Sequence, residues 1–250
     1  MKIKILGSGA SFGSPLAYGR NGNIDINNIR NFRTRSSVLI NVDNTTILID
    51  TCPDLRQQLY SAQCTDIDAV LYTHEHSDHV SGLPDMRAIS LINGKIIPAY
   101  MPVEMIEKIK SHYKFIFEGE KEYAPFMRIE KIDNMFKINN VKISTFKHNH
   151  GSIDVQTYRI KNFAYTTDFK KFYDNDIDNL KNLDLWIVGL LKHDRHPSHA
   201  SFEEIIEYVN YLKPKQTIFT HMTALIDEKK ILQLCPPNVR PGYDGMEIEI

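Results

Sequence analysis

Residues 73–79 read Thr-His-Glu-His-Ser-Asp-His and place His74, His76, Asp78 and His79 within six positions. Neutral imidazole nitrogen and carboxylate oxygen are borderline-to-hard ligands that suit Zn, Mn or Fe. Three other stretches offer the same groups: His148-Asn149-His150-Gly151, Asp168 and His221. Each candidate follows a stretch patterned as a strand: 69–73, 141–146, 163–166 and 216–220 respectively. The expected placement is just past the carboxyl ends of strands, where α/β sheets hold their ligands. Scattered structural histidines would not share that placement.

The local spacing suggests how the groups divide. His74 and His76 are two apart, so in extended chain they point to one side. Asp78 and His79 are adjacent, and a turn there can send them to a second ion. One ion would take His74, His76 and a histidine from 148–150. The other would take Asp78, His79 and His221, with Asp168 bridging. Two divalent ions at about 3.5–4 Å can clamp both the attacking and the leaving oxygen of a displacement and lower the pKa of a bridging water toward about 7.

The elements that must position these groups follow from pattern. Residues 2–6 alternate polar and apolar and read as a first strand. Gly7-Ser8-Gly9 breaks it; no helix pattern follows, so a tight loop is expected and not a dinucleotide cradle. Residues 16–34, rich in Asn, Gly and Arg, read as an irregular surface excursion. Strands are expected at 37–42 and 46–50, joined through Asp43-Asn44-Thr45. A helix is expected to open at Pro53 and run to about Gln63. Helices follow at 84–91 and 103–115, with a strand at 96–100 between them. In the second half, 157–160 and 163–166 read as a hairpin, 185–190 as a fully apolar strand, and 202–212 as an amphipathic helix with Phe202, Ile205, Ile206 and Val209 inward. A strand at 216–220 and a short helix at 228–234 close the pattern. Two groups of strands, each followed by helices, predict two sheets face to face with helices outside, a four-layer α/β arrangement.

Composition bounds the rest. The chain has 250 residues, 42% hydrophobic and 24% charged, with a formal net charge of −1. That is ordinary for a globular protein with a large core and exerts no global pull toward nucleic acid or membrane. No linker rich in Pro, Gly or Ser divides the chain, so one domain over 1–250 is expected. No run of about 18 apolar residues suggests a spanning helix, and the amino terminus lacks the apolar core of a signal peptide. Cys52, Cys64 and Cys235 are scattered and odd in number, which fits a reducing, cytoplasmic setting.

The heptad and its downstream partners resemble the metallo-β-lactamase superfamily, whose motif is His-x-His-x-Asp-His. Within it the chain is most similar to the group containing the phosphoribosyl cyclic phosphate phosphodiesterase of phosphonate breakdown. That likeness is carried by Leu6-Gly7-Ser8-Gly9, Arg33-Thr34-Arg35-Ser36-Ser37, Leu48-Ile49-Asp50-Thr51, Phe163-Ala164-Tyr165-Thr166-Thr167-Asp168, His196-Pro197-Ser198-His199, Thr220-His221 and Tyr243-Asp244-Gly245-Met246. The resemblance implies an αββα sandwich of the metallo-β-lactamase type and two divalent ions, Zn or Mn. It implies hydrolysis of a small cyclic or linear phosphodiester by a metal-bound hydroxide, with Asp78 counted among the catalytic groups. In such enzymes the third histidine of the first metal site tends to precede Gly, which selects His150 over His148. The same resemblance makes His199 the candidate general acid or phosphate-binding group, with His196 as the fallback.

One departure stands out. Members like the cyclic phosphodiesterase carry a structural zinc, held by cysteines in the early loop and a histidine three past the last ligand. Here 16–34 contains no Cys and that later position is Ala224. The loop is expected to be ordered otherwise, by its Asn side chains or a partner subunit.

Several neighbours have bland alternatives. Ser201 and Glu204 have capping-box spacing, so Ser201 is expected to be a helix N-cap. Asp50 is expected to orient a ligand imidazole. Arg33 and Arg35 could receive a phosphate, but ion-paired arginines are the commoner case; Asp85 and Arg87 invite the same caution. The helix at 103–115 could cover substrate or form a dimer contact, with plain core as the default. Two other functions fit the same motif: an RNA-end-processing nuclease, against which the absence of a Lys/Arg-rich segment argues mildly, and a non-hydrolytic metal-binding or carrier protein of cofactor biosynthesis. The expected partner is thus a small phosphodiester, with no membrane; nucleic acid is disfavoured but stays open, as does a homodimer.

Overall fold

A computed structural model describes residues 1–17, 19, 21–174 and 176–250. Tyr18 and Arg20, inside the early loop, lie outside the described residues, as does Asn175. Fifteen strands and six α-helices are assigned among them. In the first half these are β1 (Lys2–Gly7), β2 (Ser37–Val42), β3 (Thr45–Ile49), α1 (Leu55–Ala62), β4 (Ala69–Leu71), α2 (Ser77–Val80), α3 (Met86–Asn93), β5 (Ile97–Met101), α4 (Val103–Glu118) and β6 (Met127–Lys131). In the second they are β7 (Met135–Ile138), β8 (Val141–His150), β9 (Ile153–Ile160), β10 (Phe163–Thr166), β11 (Lys171–Phe172), β12 (Leu185–Gly189), α5 (Phe202–Leu212), β13 (Gln216–Thr220), α6 (Glu228–Leu234), β14 (Val239–Pro241) and β15 (Glu247–Glu249).

One sheet runs β15-β1-β2-β3-β4-β5-β6 and the other β11-β8-β9-β10-β12-β13-β14, with β7 paired to β8. Three apolar layers hold the stack together. Ile3, Ile5, Ile40, Ile49, Tyr158, Phe163, Tyr165 and Ile187 fill the space between the sheets. Leu48, Val70, Leu59, Met86, Met105 and Ile109 join the first sheet to its helices. Trp186, Val188, Phe219, Ile205 and Val209 join the second sheet to α5. Each fully buried aliphatic or aromatic side chain contributes roughly 1.5–3 kcal/mol of transfer free energy. This is the αββα sandwich expected from the pattern. Strands buried on both faces explain why β12 reads as an unbroken apolar run.

Several local expectations shift. The β2–β3 hairpin turns on Asp43-Asn44 alone, both at positive φ (48° and 58°). That is the two-residue connection whose twist suits a hairpin. Pro53 lies outside α1, whose N-cap is Asp54. The heptad is not all loop, because Ser77–Val80 makes a helical turn. Strand β8 continues to His150, so His148 and His150 lie on the strand and not beyond it. Helix α4 buries Met105, Ile109 and Ile116 while Val103 faces solvent. Its inner face is core. Ser201 caps α5 with the full reciprocal box to Glu204.

The early loop is tied down by polar side chains. Asn31 is fully buried and donates from Nδ2 to Asp227 Oδ2 (2.7 Å) and the Asp25 carbonyl (3.0 Å). Its Oδ1 accepts from the Glu228 amide (2.8 Å) and Arg33 Nη2 (3.1 Å). Asn28 Nδ2 and Arg30 Nη1 both reach the Glu228 carboxylate. At Gly22 (φ 59°) an added Cβ would sit 2.2 Å from the Ala224 carbonyl, so only glycine allows this approach. The segment just after His221 therefore anchors the loop through Asn31, as the asparagine-rich sequence led one to expect.

Candidate metal centre

Parallel strands bring the site together. β3, β4, β5 and β6 are parallel neighbours in the first sheet, as are β10, β12, β13 and β14 in the second. Asp50 follows β3, His74 and His76 follow β4, Asp168 follows β10 and His221 follows β13. Asp50, Asp168 and His221 all adopt positive φ (62°, 47° and 55°). Non-glycine residues seldom take that conformation, and such strain clusters at functional sites.

The donor atoms converge in overlapping sets: His74, His76 and His150; His74, His79 and Asp168; Asp78, His79 and His221; and His150, Asp168 and His199. Within each, the potential ligand atoms lie within 4.8 Å of one another. Asp168 stands between them. Its Oδ2 is 3.0 Å from His79 Nε2 and 3.4 Å from His221 Nε2, while its Oδ1 is 3.6 Å from His150 Nε2 and 3.8 Å from His199 Nε2. All seven residues expected as ligands are thus gathered, with His199 against them. His148 is set apart in the fully buried layer beneath, its ring nitrogens facing the Thr167 carbonyl and Thr157 Oγ1.

Hydrogen bonds fix which imidazole nitrogen faces inward. Thr73 Oγ1 donates to Asp50 Oδ2 (2.8 Å), so it accepts from His74 Nδ1 (3.0 Å). His79 Nδ1 donates to Asp50 Oδ2 (2.7 Å), and His150 Nδ1 donates to the Ser198 carbonyl (2.9 Å). In all three rings Nε2 points into the cluster. His74 Nε2 and His79 Nε2 are buried and have no hydrogen-bond partner. The short His79–Asp168 approach lacks hydrogen-bond alignment, and ring nitrogens and carboxylate oxygens crowd together around it. A buried arrangement of that kind is costly unless a cation lies between them. The donor set therefore fits divalent metal ions.

The electrostatics show a cluster that draws in positive charge: burial opposes protonation of His79, but Asp168, Asp50 and Asp78 outweigh it and push its pKa well above the usual value. Burial lowers the pKa of His74 well below its usual value, and neighbouring His79 adds to that. Burial opposes ionisation of Asp168 and Asp78, yet the surrounding histidines hold both carboxyls well below the usual range. Burial pushes His199 down to about 3 against the pull of Asp168.

Other candidates resolve as the bland alternatives. Arg35 pairs with Asp54 (3.2 Å). Arg33 is buried, and its guanidinium donates to the Thr223 carbonyl and Asn31. Both guanidinium groups make their contacts within the protein. Arg87 stacks over Tyr123, and Asp85 takes no part in the cluster. His196 lies 5.3 Å from His199, ring to ring, one step farther out. Sequence reasoning missed the Ser198 carbonyl and the Thr73 hydroxyl. A backbone acceptor leaves no sequence signal; Thr73, directly before the heptad, could have been noticed.

Residues 45–222, which hold every residue of the cluster, match the family model described as a β-lactamase superfamily domain. The chain belongs to the metallo-β-lactamase superfamily. Members of this superfamily carry divalent metals, and the cluster is in keeping with that. Among solved structures, a diphosphatase of the PhnP family superposes with a TM-score of 0.91 at 28% identity, covering 100% of this chain and 97% of that one. Zn²⁺-bound PqqB from Methylobacterium extorquens (TM-score 0.81, 17% identity, 100% of both chains) and human tRNase Z, short form (0.74, 20%, 100% and 99%), share the fold. In sequence, an octanoyltransferase of Porphyromonas gingivalis is 31% identical over 253 residues, 99% of this chain but 51% of that protein. The chain thus spans about half the length of that relative.

Proposed function

We propose that this metallo-β-lactamase chain is a dinuclear metal-dependent hydrolase acting at phosphorus in small cyclic or linear phosphodiesters, or in the related diphosphates. The observation that carries this is the placement of Asp168, with one carboxylate oxygen toward His150 and the other toward His79 and His221. His74, His76 and His150 would hold one ion, and Asp78, His79 and His221 the other, with Asp168 shared. Zn and Mn both suit these ligand types. When bound, such a pair of ions supplies Lewis-acid activation of water and of a phosphoryl oxygen.

The protein groups do the positioning. Asp50 accepts hydrogen bonds from His79 Nδ1 and Thr73 Oγ1, and so orients two rings with Nε2 inward. His199, neutral because burial disfavours its charged form, can donate an N–H to a phosphoryl oxygen as negative charge grows there. The likeness to the PhnP-family diphosphatase supports chemistry at phosphorus.

The test is metal analysis of the purified protein together with a substrate panel. Expected are about two equivalents of Zn or Mn and turnover of p-nitrophenyl phosphodiesters or dinucleoside diphosphates. A structured RNA belongs in the panel because of the fold shared with tRNase Z, and an octanoyl thioester because of the Porphyromonas relative. Turnover of only one of these last two, with both metal positions filled, rejects the proposal. Failure on every substrate favours a metal-binding or carrier role.

A further inference from the structure

His148 is a fully buried histidine that the ligand set does not use. It lies two positions before His150 on β8, so the two share a face of the strand. Both of its ring nitrogens are engaged. Nε2 lies 2.8 Å from the Thr167 carbonyl and Nδ1 lies 2.9 Å from Thr157 Oγ1. A carbonyl only accepts, so Nε2 carries the proton. Burial pushes the ring's pKa down to about 4, so near neutral pH Nδ1 is bare and the Thr157 hydroxyl donates to it.

The contacts continue across the sheet. Thr157 Oγ1 is 3.2 Å from Thr166 Oγ1, which accepts from Trp186 Nε1 (3.1 Å). His148, Thr157, Thr166 and Trp186 stand on β8, β9, β10 and β12, four strands adjacent in that order. All four side chains are fully buried. A buried polar network with every member paired holds its groups in one arrangement.

This ladder ends on the turn that carries Asp168. The Thr167 carbonyl accepts from His148, and no backbone N–H outside the regular ladders reaches it among the described residues. The hydroxyl of the same threonine donates to Asp168 Oδ2 (3.0 Å). Phe169, on the other side of Asp168, meets the His148 ring edge to face, with centroids 5.7 Å apart. The imidazole thus grips the residues before and after Asp168, whose backbone sits at a φ of 47°. A residue in that region persists only where its surroundings over-determine it.

We propose that His148 is a positioning residue for Asp168: through the Thr167 peptide it holds the shared carboxylate where both ligand groups can use it. This rests on the dinuclear reading above and deepens it with a support separate from Asp50. A histidine that merely filled core would be replaceable by an apolar ring. Here such a ring would leave the Thr167 carbonyl without its donor and the Thr157 hydroxyl without its acceptor.

The experiment compares His148→Phe, which keeps an aromatic ring and makes neither hydrogen bond, with His148→Gln, whose amide can donate to the carbonyl and accept from Thr157. With metal-loaded full chain and a p-nitrophenyl phosphodiester, His148→Phe should lower kcat about 10–100-fold, the range for losing a group that orients a metal ligand, with KM little changed. Chelator competition, which needs no turnover, should show the metal Kd raised by a similar factor. His148→Gln should recover most of both. A folded His148→Phe with native kcat and native metal Kd makes His148 plain core and overturns the proposal, as does a His148→Gln that is as impaired as the Phe variant. Should His148→Phe not fold, Thr157→Val carries the test, since it strips the donor from Nδ1 at nearly constant shape. Its kcat and metal affinity should each fall about tenfold, and no change in either overturns the proposal. A raised metal Kd in a protein that hydrolyses no phosphodiester leaves the positioning role standing and rejects the activity instead.

Discussion

His79 Nδ1 lies 2.7 Å from Asp50 Oδ2, and both side chains are fully buried. Asp50 also accepts from the Thr73 amide (2.8 Å) and hydroxyl (2.8 Å), so one carboxylate sets two neighbouring ligand rings. Asp50→Asn keeps the left-handed backbone but cannot accept all of these protons. We expect the metal Kd to rise about 10–100-fold, read by chelator competition. An unchanged Kd would assign Asp50 to folding alone.

Asp168 faces both ligand groups, so its loss should be catalytic before it is structural. Asp168→Ala is expected to reduce kcat by more than about 10³, the upper range for removing one electrostatic group. Circular dichroism should remain native. Near-normal activity at saturating metal would refute the ligand assignment.

His199 offers a test of how charge is handled. Burial holds its pKa down to about 3, so near neutral pH it is a neutral donor and not a stored proton. His199→Ala should slow esters of good and poor leaving groups by similar factors. Selective slowing of poor leaving groups would restore general-acid catalysis.

The early loop is clasped by Asp227 and Glu228 through Asn31. Asp227→Ala leaves Asn31 Nδ2 and the Asp25 amide without that acceptor, at an expected cost of about 2–3 kcal/mol. Limited trypsin digestion should then cut at Arg30. Treating the native protein with chelator should leave Arg30 protected if these side-chain hydrogen bonds are what hold the loop. Cutting after chelation alone would mean that a metal does.

Glu204 gives a pH signature. Burial pushes its carboxyl up, but the Ser201 amide and Lys170 outweigh this and hold it below the usual 4.5. A depressed acid stabilises the fold above its unfolded pKa and loses that contribution as pH falls through the folded one. Glu204→Gln should therefore cost about 0.5 kcal/mol at pH 7, the scale of a charge at a helix N-terminus. The difference should fade below about pH 4 in urea melts.

What the sequence determined by itself is local. Period-two and period-3.6 patterns set α5 at Phe202–Leu212 and β13 at Gln216–Thr220, because side-chain direction is fixed by backbone geometry. The spacing of His74, His76, Asp78 and His79 named most of the cluster, since four ligands in six residues need no distant information. Short edge strands such as β14 and β15 escaped notice, being three residues long with pairing partners far away in the chain. Only the tertiary structure decided which nitrogen of each ring faces inward, for that depends on the Ser198 carbonyl, 48 positions from His150, and on Asp50, 29 positions from His79. It also decided that Asn31 and Asp227, 196 residues apart, take over the ordering of the loop. Hydrogen bonds of that reach carry no periodic trace in the chain, because they are set by where the sheets stack and not by what precedes each residue.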